Sequence, residues 1–199
     1  MKTLTETSDE QVVLLSDEGA PIGSVSKAAV HGFDTPLHLA FSCHVRNADG
    51  EVLVTRRALG KKSWPGVWTN SFCGHPRPAE SVLHAVHRRA DFELGLELDE
   101  IELALPLFRY RASDASGIVE NEVCPVYLAT THSEPEPHGD EVAEFASADP
   151  LALGESIRLT PWAFSPWLVL QARHLPFLGG NPVTAHEQTA RDTDARAVA

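Results

Sequence analysis

W-T-N-S-F-C-G-H-P-R-P-A-E, Trp68 to Glu80, leads directly into S-V-L-H-A-V-H-R-R-A-D-F-E-L-G, Ser81 to Gly95. In the first stretch Cys73 stands two residues before His75, with Gly74 between them. Gly74, Pro76 and Pro78 predict an ordered loop, because glycine and proline disfavour a helix interior. A thiol and an imidazole on a tight loop ahead of a helix can serve as nucleophile, proton donor or metal ligands. The same letters fit a buried, inert cysteine beside a solvated histidine equally well. The flanking sequence has to decide.

The second stretch predicts a helix from about Ser81 to Leu94, with Val82, Val86 and Ala90 on one stripe and Gly95 as the terminator. At about 100° per residue, Arg89 and Glu93 fall within about 20° of the direction of Val82. The inward stripe therefore becomes charged near its C-terminal end. Buried charges are usually paired or metal-bound, and an Arg89–Glu93 pair at i,i+4 is the simplest arrangement.

A chain of 199 residues with 43% hydrophobic residues suits one soluble domain with a full-sized core. No apolar run approaches the roughly 18 residues of a membrane span, and the N-terminal M-K-T-L-T-E-T-S-D-E lacks the apolar centre of a signal peptide. A cytoplasmic protein is expected. Three widely spaced cysteines, Cys43, Cys73 and Cys124, fit a reducing compartment and not a disulfide framework. The net charge of −12 argues against nucleic acid or an anionic membrane as partner. Yet nine of the sixteen Lys and Arg residues lie between Arg56 and Arg111, a local basic region that suits a small anionic ligand.

Along the chain, Val12–Leu15 and Ile22–Val25 predict a hairpin, followed by Lys27 as a candidate phosphate contact. His31 and His38 flank G-F-D-T-P; their spacing alone is weak evidence of metal binding. Leu39–Arg46 and Glu51–Arg57 predict a second hairpin around N-A-D-G, and S-W-P-G-V-W after it is expected to bury its aromatics beneath the Cys73 loop. A third hairpin is expected between residues 103–112 and 118–129. There Glu120 and Glu122 share a face with Ile118 and Cys124, an odd place for solvated acids. Two such carboxylates repel unless a cation or a proton lies between them. Residues 132–140 read as an exposed loop. Asp149-Pro150 and Ser165-Pro166 look like helix N-caps followed by proline at N1. The composition predicts one domain over residues 1–175 and a weakly ordered tail over 176–199.

From Gly74 onward the sequence resembles the Nudix signature, G-x5-E-x7-R-E-U-x-E-E-x-G-U, at Gly74, Glu80, Arg88, Glu93, Gly95 and Leu96. It departs at Arg89, Ala90 and Phe92, where the signature has glutamate, an aliphatic residue and glutamate. In Nudix hydrolases those glutamates help hold the magnesium ions that drive diphosphate hydrolysis. With T-N-S-F-C-G-H-P, E-N-E-V-C-P and T-P-W-A-F-S-P-W, the chain resembles type I isopentenyl-diphosphate isomerases from about residue 11 to 172. The resemblance implies an α/β fold, a Nudix α/β/α sandwich with a mixed sheet in one domain. It implies a divalent-metal-dependent isomerase acting on a small prenyl diphosphate, with a monomer expected. Cys73 and Glu122 match the family's proton-transfer pair, and Tyr110 a tyrosine that assists. His31, His38, His75, Glu120 and Glu122 match its metal site, for Mn²⁺ or Zn²⁺, and Glu93 is expected to help bind a Mg²⁺ carried with the diphosphate. By position, Lys27, Arg57, Lys61 and Arg89 are expected to grip the diphosphate and Trp167 to face the developing cation.

Overall fold

A computed structural model of the chain describes residues 10–182. The first nine residues, within the segment read as lacking a signal peptide, and residues 183–199 of the expected tail lie outside that range. Strands β1 (Gln11–Leu15) and β2 (Pro21–Ser26) form the expected hairpin and lead into one helical turn, α1 (Lys27–Val30). Strands β3 (His38–Leu39), β4 (Phe41–Arg46), β5 (Val52–Arg57), β6 (Trp68–Thr69) and β7 (Phe72–Gly74) precede helix α2 (Val82–Leu94). Strands β8 (Ile101–Leu105), β9 (Arg109–Ser113), β10 (Val119–Val123), β11 (Val126–Thr130) and β12 (Val142–Ala148) follow, and then helices α3 (Pro150–Leu159) and α4 (Pro166–Ala172). Among the described residues no helix is long and apolar enough to cross a membrane.

The hairpin expected from β4 and β5 is correct at its tip and splayed beyond it. The two strands pair only at Arg46 and Val52, after which β7 pairs with β4 and β6 with β5. The stretch read as a loop is thus a wedge driven into a sheet. The Ser71 hydroxyl accepts from the Val45 N–H at 2.7 Å and donates to the Leu53 carbonyl at 2.6 Å, so one side chain bridges the gap. The Thr55 hydroxyl donates to the Asn70 and Ser71 carbonyls at 3.0 and 3.1 Å. A buried backbone that gives up ladder partners must find others, and T-N-S supplies them.

The third expected hairpin is also two shorter ones. Pro106 and Pro125 lack the N–H a continuous ladder needs, and at both points the chain passes from one sheet to the other. β9 and β10 pair in a five-stranded sheet of order β2-β1-β3-β10-β9; β8 and β11 pair in a seven-stranded one of order β12-β5-β4-β11-β8, with β6 and β7 attached. The β3–β10 and β4–β11 pairs are parallel and the others antiparallel, so both sheets are mixed. Backbone bonds from Ala40 N–H to Val123 and from Cys124 N–H to Phe108 stitch the corner at 2.9 and 2.8 Å.

Alternation along β4 sorts the core into two layers. Phe41, Cys43 and Val45 pack with Ala85, Val86, Ala90 and Leu94 of α2, while the intervening Ser42 and His44 face α4. On that second side Val126 and Phe108 pack with Leu153 and Ile157 of α3 and with Trp167 and Leu168 of α4. Helices cover opposite faces, giving the α/β/α sandwich. The core continues past the boundary expected at residue 175: Leu178 is buried in it.

Helix α2 begins and ends where its sequence says. The Ser81 hydroxyl accepts from the His84 N–H, and Gly95 adopts φ 63°, the left-handed conformation that closes the helix. Ser165 and Asp149 cap α4 and α3 in the same way, each followed by proline.

Candidate active site

Glu122 lies near the C-terminal end of β10, between His38 on β3 and Tyr110 on β9, each its direct partner across the sheet. Glu120, two residues earlier, shares its face. The Gly32 carbonyl accepts from the Val119 N–H at 2.8 Å, which holds His31 beside the same strand. His75 arrives from the far side, just beyond β7. Gly74 makes that approach possible, because a Cβ there would lie 2.7 Å from Arg89 Cγ and 3.0 Å from the Phe41 ring.

One ligand atom each from His31, His38, His75 and Glu122 falls within 4.8 Å of the others. His38 Nε2 and His75 Nε2 are 3.4 and 3.2 Å from Glu122 Oε1, and His31 Nε2 is 3.3 Å from Glu120 Oε2. The Ser63 hydroxyl donates to the other oxygen of Glu120. Nε2 of His31 and of His38 is buried without a hydrogen-bond partner. His38 Nδ1 donates to the Pro36 carbonyl at 2.9 Å, so in the neutral ring the lone pair sits on Nε2, toward Glu122. A lone pair and a carboxylate at that range repel unless a proton or a cation separates them. Three imidazoles and the Glu122 carboxylate, with one ring oriented from behind by a carbonyl and Glu120 beside them, fit a divalent metal ion.

These groups open into a cavity of about 400 Å³. Cys73, Tyr110, Glu93 and all five expected substrate contacts, Lys27, Arg57, Lys61, Arg89 and Trp167, also line it. His38 stays behind the wall, fully buried. Glu93 stands apart from the histidines: Arg89 donates to it at 2.6 Å and lies 3.2 Å from Glu141, which also holds Lys61. Lys27 pairs with Glu10 at 2.9 Å. The Arg57 guanidinium donates to the Ser63 and Trp64 carbonyls and sits 5.3 Å from the centre of a Trp167 ring, bracing the S-W-P-G turn over the cavity.

The NUDIX domain profile matches residues 36–168. An isopentenyl-diphosphate Delta-isomerase from Agromyces mediolanus is 66% identical over 175 residues, 88% of this chain and 85% of that protein. The protein of that name from Klebsiella pneumoniae is 54% identical, over 83% of this chain and 90% of its own length. This chain belongs to the type I isopentenyl-diphosphate isomerases of the Nudix superfamily. The fold likeness extends further: the structure of DR0079 from Deinococcus radiodurans has a TM-score of 0.63 at 18% identity, covering 82% of this chain and 98% of that one.

Within this Nudix isomerase chain, burial separates the two titrating groups that face the cavity. It pushes the Cys73 thiol up to about 12, a hydrogen bond with Ser42 opposing it, and the charges of Glu122 and Glu93 add to the rise. Burial acts the same way on Glu122, but His38 and His31 outweigh it and bring that carboxyl down to about 2. Burial and the Glu122 charge hold the Tyr110 phenol well above its usual range. The free chain therefore rests with a protonated thiol and an ionised Glu122.

Glu141, Ser63 and Asn70 were missed by the sequence reading. Glu141 follows a stretch read as exposed loop, and no local pattern marks an acid that pairs with lysine and arginine from distant elements. Asn70 lay in the decisive stretch itself. Only the structure shows that its side chain meets Cys73 and Trp167.

Proposed function

We propose that this chain interconverts isopentenyl diphosphate and dimethylallyl diphosphate, in isoprenoid biosynthesis, by adding a proton at one end of the allyl unit and removing one from the other. The observation that carries the reading is the meeting of Cys73 and Glu122 in one cavity, between a histidine cluster and a row of cations. Relatives bearing this activity's name, at 54 and 66% identity, support it.

Cys73 and Glu122 act as the proton-transfer pair, with Tyr110 assisting Glu122 from the neighbouring strand. Towards dimethylallyl diphosphate, Glu122 gives a proton to the terminal carbon and Cys73 takes one from C2. One C–H bond forms, one breaks and the double bond shifts. The reverse direction exchanges the roles. A protonated thiol and an ionised Glu122 are the state required for that reverse direction, so the forward turn starts from the form in which Glu122 holds the proton.

His31, His38, His75, Glu120 and Glu122 would hold a Mn²⁺ or Zn²⁺ ion, and Glu93 would share a Mg²⁺ with the diphosphate. The bound metals supply positive charge that tunes the acidity of Glu122 and neutralises the phosphates. Lys27, Arg57, Lys61 and Arg89 grip the diphosphate. The Trp167 indole steadies the developing carbocation, an attraction of ~2 kcal/mol when desolvated. Diphosphate hydrolysis lacks comparable support: Arg89 and Phe92 replace two signature glutamates, and Glu80 is tied to Arg88 at 2.8 Å. Three free cysteines support a cytoplasmic setting, and a monomer is part of the proposal.

The test is incubation with isopentenyl diphosphate and Mg²⁺, followed by proton NMR. The methyl signals of dimethylallyl diphosphate should grow in without flavin or nucleotide. Phosphate release without isomerisation, or turnover only with reduced flavin, would sink the reading.

A further inference from the structure

Behind Cys73, away from the cavity, buried polar side chains form a row between β4, the T-N-S wedge and α4. His44 Nε2 lies 3.0 Å from Gln171 Oε1, and Gln171 Nε2 donates to Ser42 Oγ at 2.9 Å. Ser42 Oγ is 3.3 Å from Cys73 Sγ and 3.4 Å from Cys124 Sγ, and the Cys73 thiol donates to Asn70 Oδ1 at 3.3 Å. Ser42, Asn70 and Gln171 are all fully buried.

Each donor in the row has a defined direction. Asn70 Nδ2 donates to the Cys43 and Phe72 carbonyls at 3.0 and 2.7 Å, so Oδ1 is the atom turned to Cys73. That oxygen only accepts, and it also receives the Trp167 indole N–H at 2.9 Å and the Thr69 hydroxyl. At the other end, the Gln171 orientation leaves His44 Nδ1 as a buried acceptor without a partner. The opposite orientation would bury an unpaired N–H instead, the rarer defect in folded proteins. Because the Cys73 proton goes to Asn70, Ser42 directs its own single proton at Cys73 Sγ, and the Cys124 thiol donates to Ser42 Oγ.

We propose that Ser42 and Gln171, neither of which lines the cavity, are positioning residues for the isomerisation: with Asn70 they lock the rotor of the Cys73 side chain through a hydrogen-bond chain of one polarity, running from His44 through Gln171, Ser42 and Cys73 to Asn70. This rests on the reading of Cys73 as a proton-transfer group. A thiol turns on a single torsion, and its proton must travel along one line to a substrate carbon. A misplacement of about 1 Å can cost ~100-fold in rate. Because Asn70 also receives Trp167, the same anchor sets the indole relative to the thiol.

The experiment compares Ser42→Ala, Gln171→Leu and Ser42→Thr with the wild type in steady-state kinetics and in the infrared S–H stretching region, where subtracting the Cys73→Ala spectrum isolates the Cys73 band. Ser42→Ala and Gln171→Leu should lower kcat by about tenfold or more, leave KM within about twofold and shift the Cys73 band. Ser42→Thr, which keeps the hydroxyl, should restore both readouts. Should Ser42→Ala fail to fold, Gln171→Leu carries the same test from the opposite end of the contact. An active wild type whose Cys73 band stays in place in the variants overturns the positioning chain. A wild type that does not isomerise removes the functional reading on which the chain's role rests.

Discussion

The two ends of the cavity are built on opposite principles. At one end His31, His38, His75, Glu120 and Glu122 converge, and three buried imidazole nitrogens there, Nε2 of His31 and of His38 and Nδ1 of His75, lack hydrogen-bond partners. At the other, Lys61, Arg89, Glu93 and Glu141 already compensate one another in ion pairs. A cluster short of positive charge invites a cation from outside, whereas one with its charges matched needs a guest able to compete for its lysine and arginine. The first end is therefore read as a place that holds a metal, the second as one that exchanges its internal carboxylates for phosphate oxygens.

The strongest way to break this contrast is to neutralise, one at a time, the two carboxylates of the histidine end. Glu122→Gln keeps volume and one oxygen but removes the titrating group, and kcat should fall by about 10²- to 10⁴-fold, the usual worth of general acid–base catalysis. Glu120→Gln, beside it, should lose metal affinity and regain part of its rate when metal is added. Turnover measured across a metal titration, with bound metal determined in parallel, separates the two. Recovery of Glu122→Gln to wild-type turnover at saturating metal would make that residue a ligand only.

Next in size is His38→Ala. It removes a ring whose Nδ1 is fixed by the Pro36 carbonyl. Since losing even an outer-shell partner typically costs about 10- to 100-fold in metal affinity, loss of the ring itself should cost at least as much. Elemental analysis of the purified variant should find the site depleted. Undiminished metal content would mean that these histidines serve packing instead.

At the matched end the effect should be smaller and of a different kind. Glu141→Gln frees Lys61 and Arg89 from a competing carboxylate, so KM for isopentenyl diphosphate should fall, by up to about tenfold for ~1.4 kcal/mol of relieved competition. The melting temperature should fall as well, because two enclosed cations lose a partner. A raised KM would show that Glu141 helps hold the diphosphate's metal, and the contrast between the ends would fail.

How much of this was legible depends on how local each feature is. The caps of α2 and the first hairpin rest on neighbours within a few residues, and Ser81, Gly95 and the D-E-G-A-P turn announce them. The wedge between β4 and β5 depends on Ser42 facing Cys73 and Thr55 facing Thr69, pairings across long sequence distances that no period reveals. Pro106 and Pro125 lay inside the two strands read as one hairpin, and the corner they make between the sheets went unread. His31, His38 and His75 came from resemblance, since a wide spacing of histidines carries little by itself. Glu141 was unreadable for the reason that makes it useful: its partners arrive from elsewhere in the fold.

A comparison of stability and not of turnover concerns another buried histidine, one outside both clusters. Burial lowers His44 to about 4, the Gln171 contact opposing it only in part and the Arg46 charge adding to the drop. His38 shifts the other way: burial lowers it too, but Glu122, the Pro36 carbonyl and Glu120 together raise it above its usual value. The signs of their contributions to stability are therefore opposite. His44 stays neutral in the fold while the unfolded chain takes up a proton below its ordinary value of 6.5. The stability it confers is complete above about pH 6.5 and drains away as pH falls towards 4, a change of about 3 kcal/mol. His38 in metal-free protein contributes stability at low pH that is lost as pH rises through its folded value. His44→Gln retains a donor for Gln171 and cannot titrate, so denaturant unfolding of this variant should show a shallower loss of stability between pH 6.5 and 4 than the wild type. Parallel curves would mean that His44 takes up its proton in the fold as readily as in the unfolded chain. The row from His44 to Asn70 would then begin from a cation below pH 6.5.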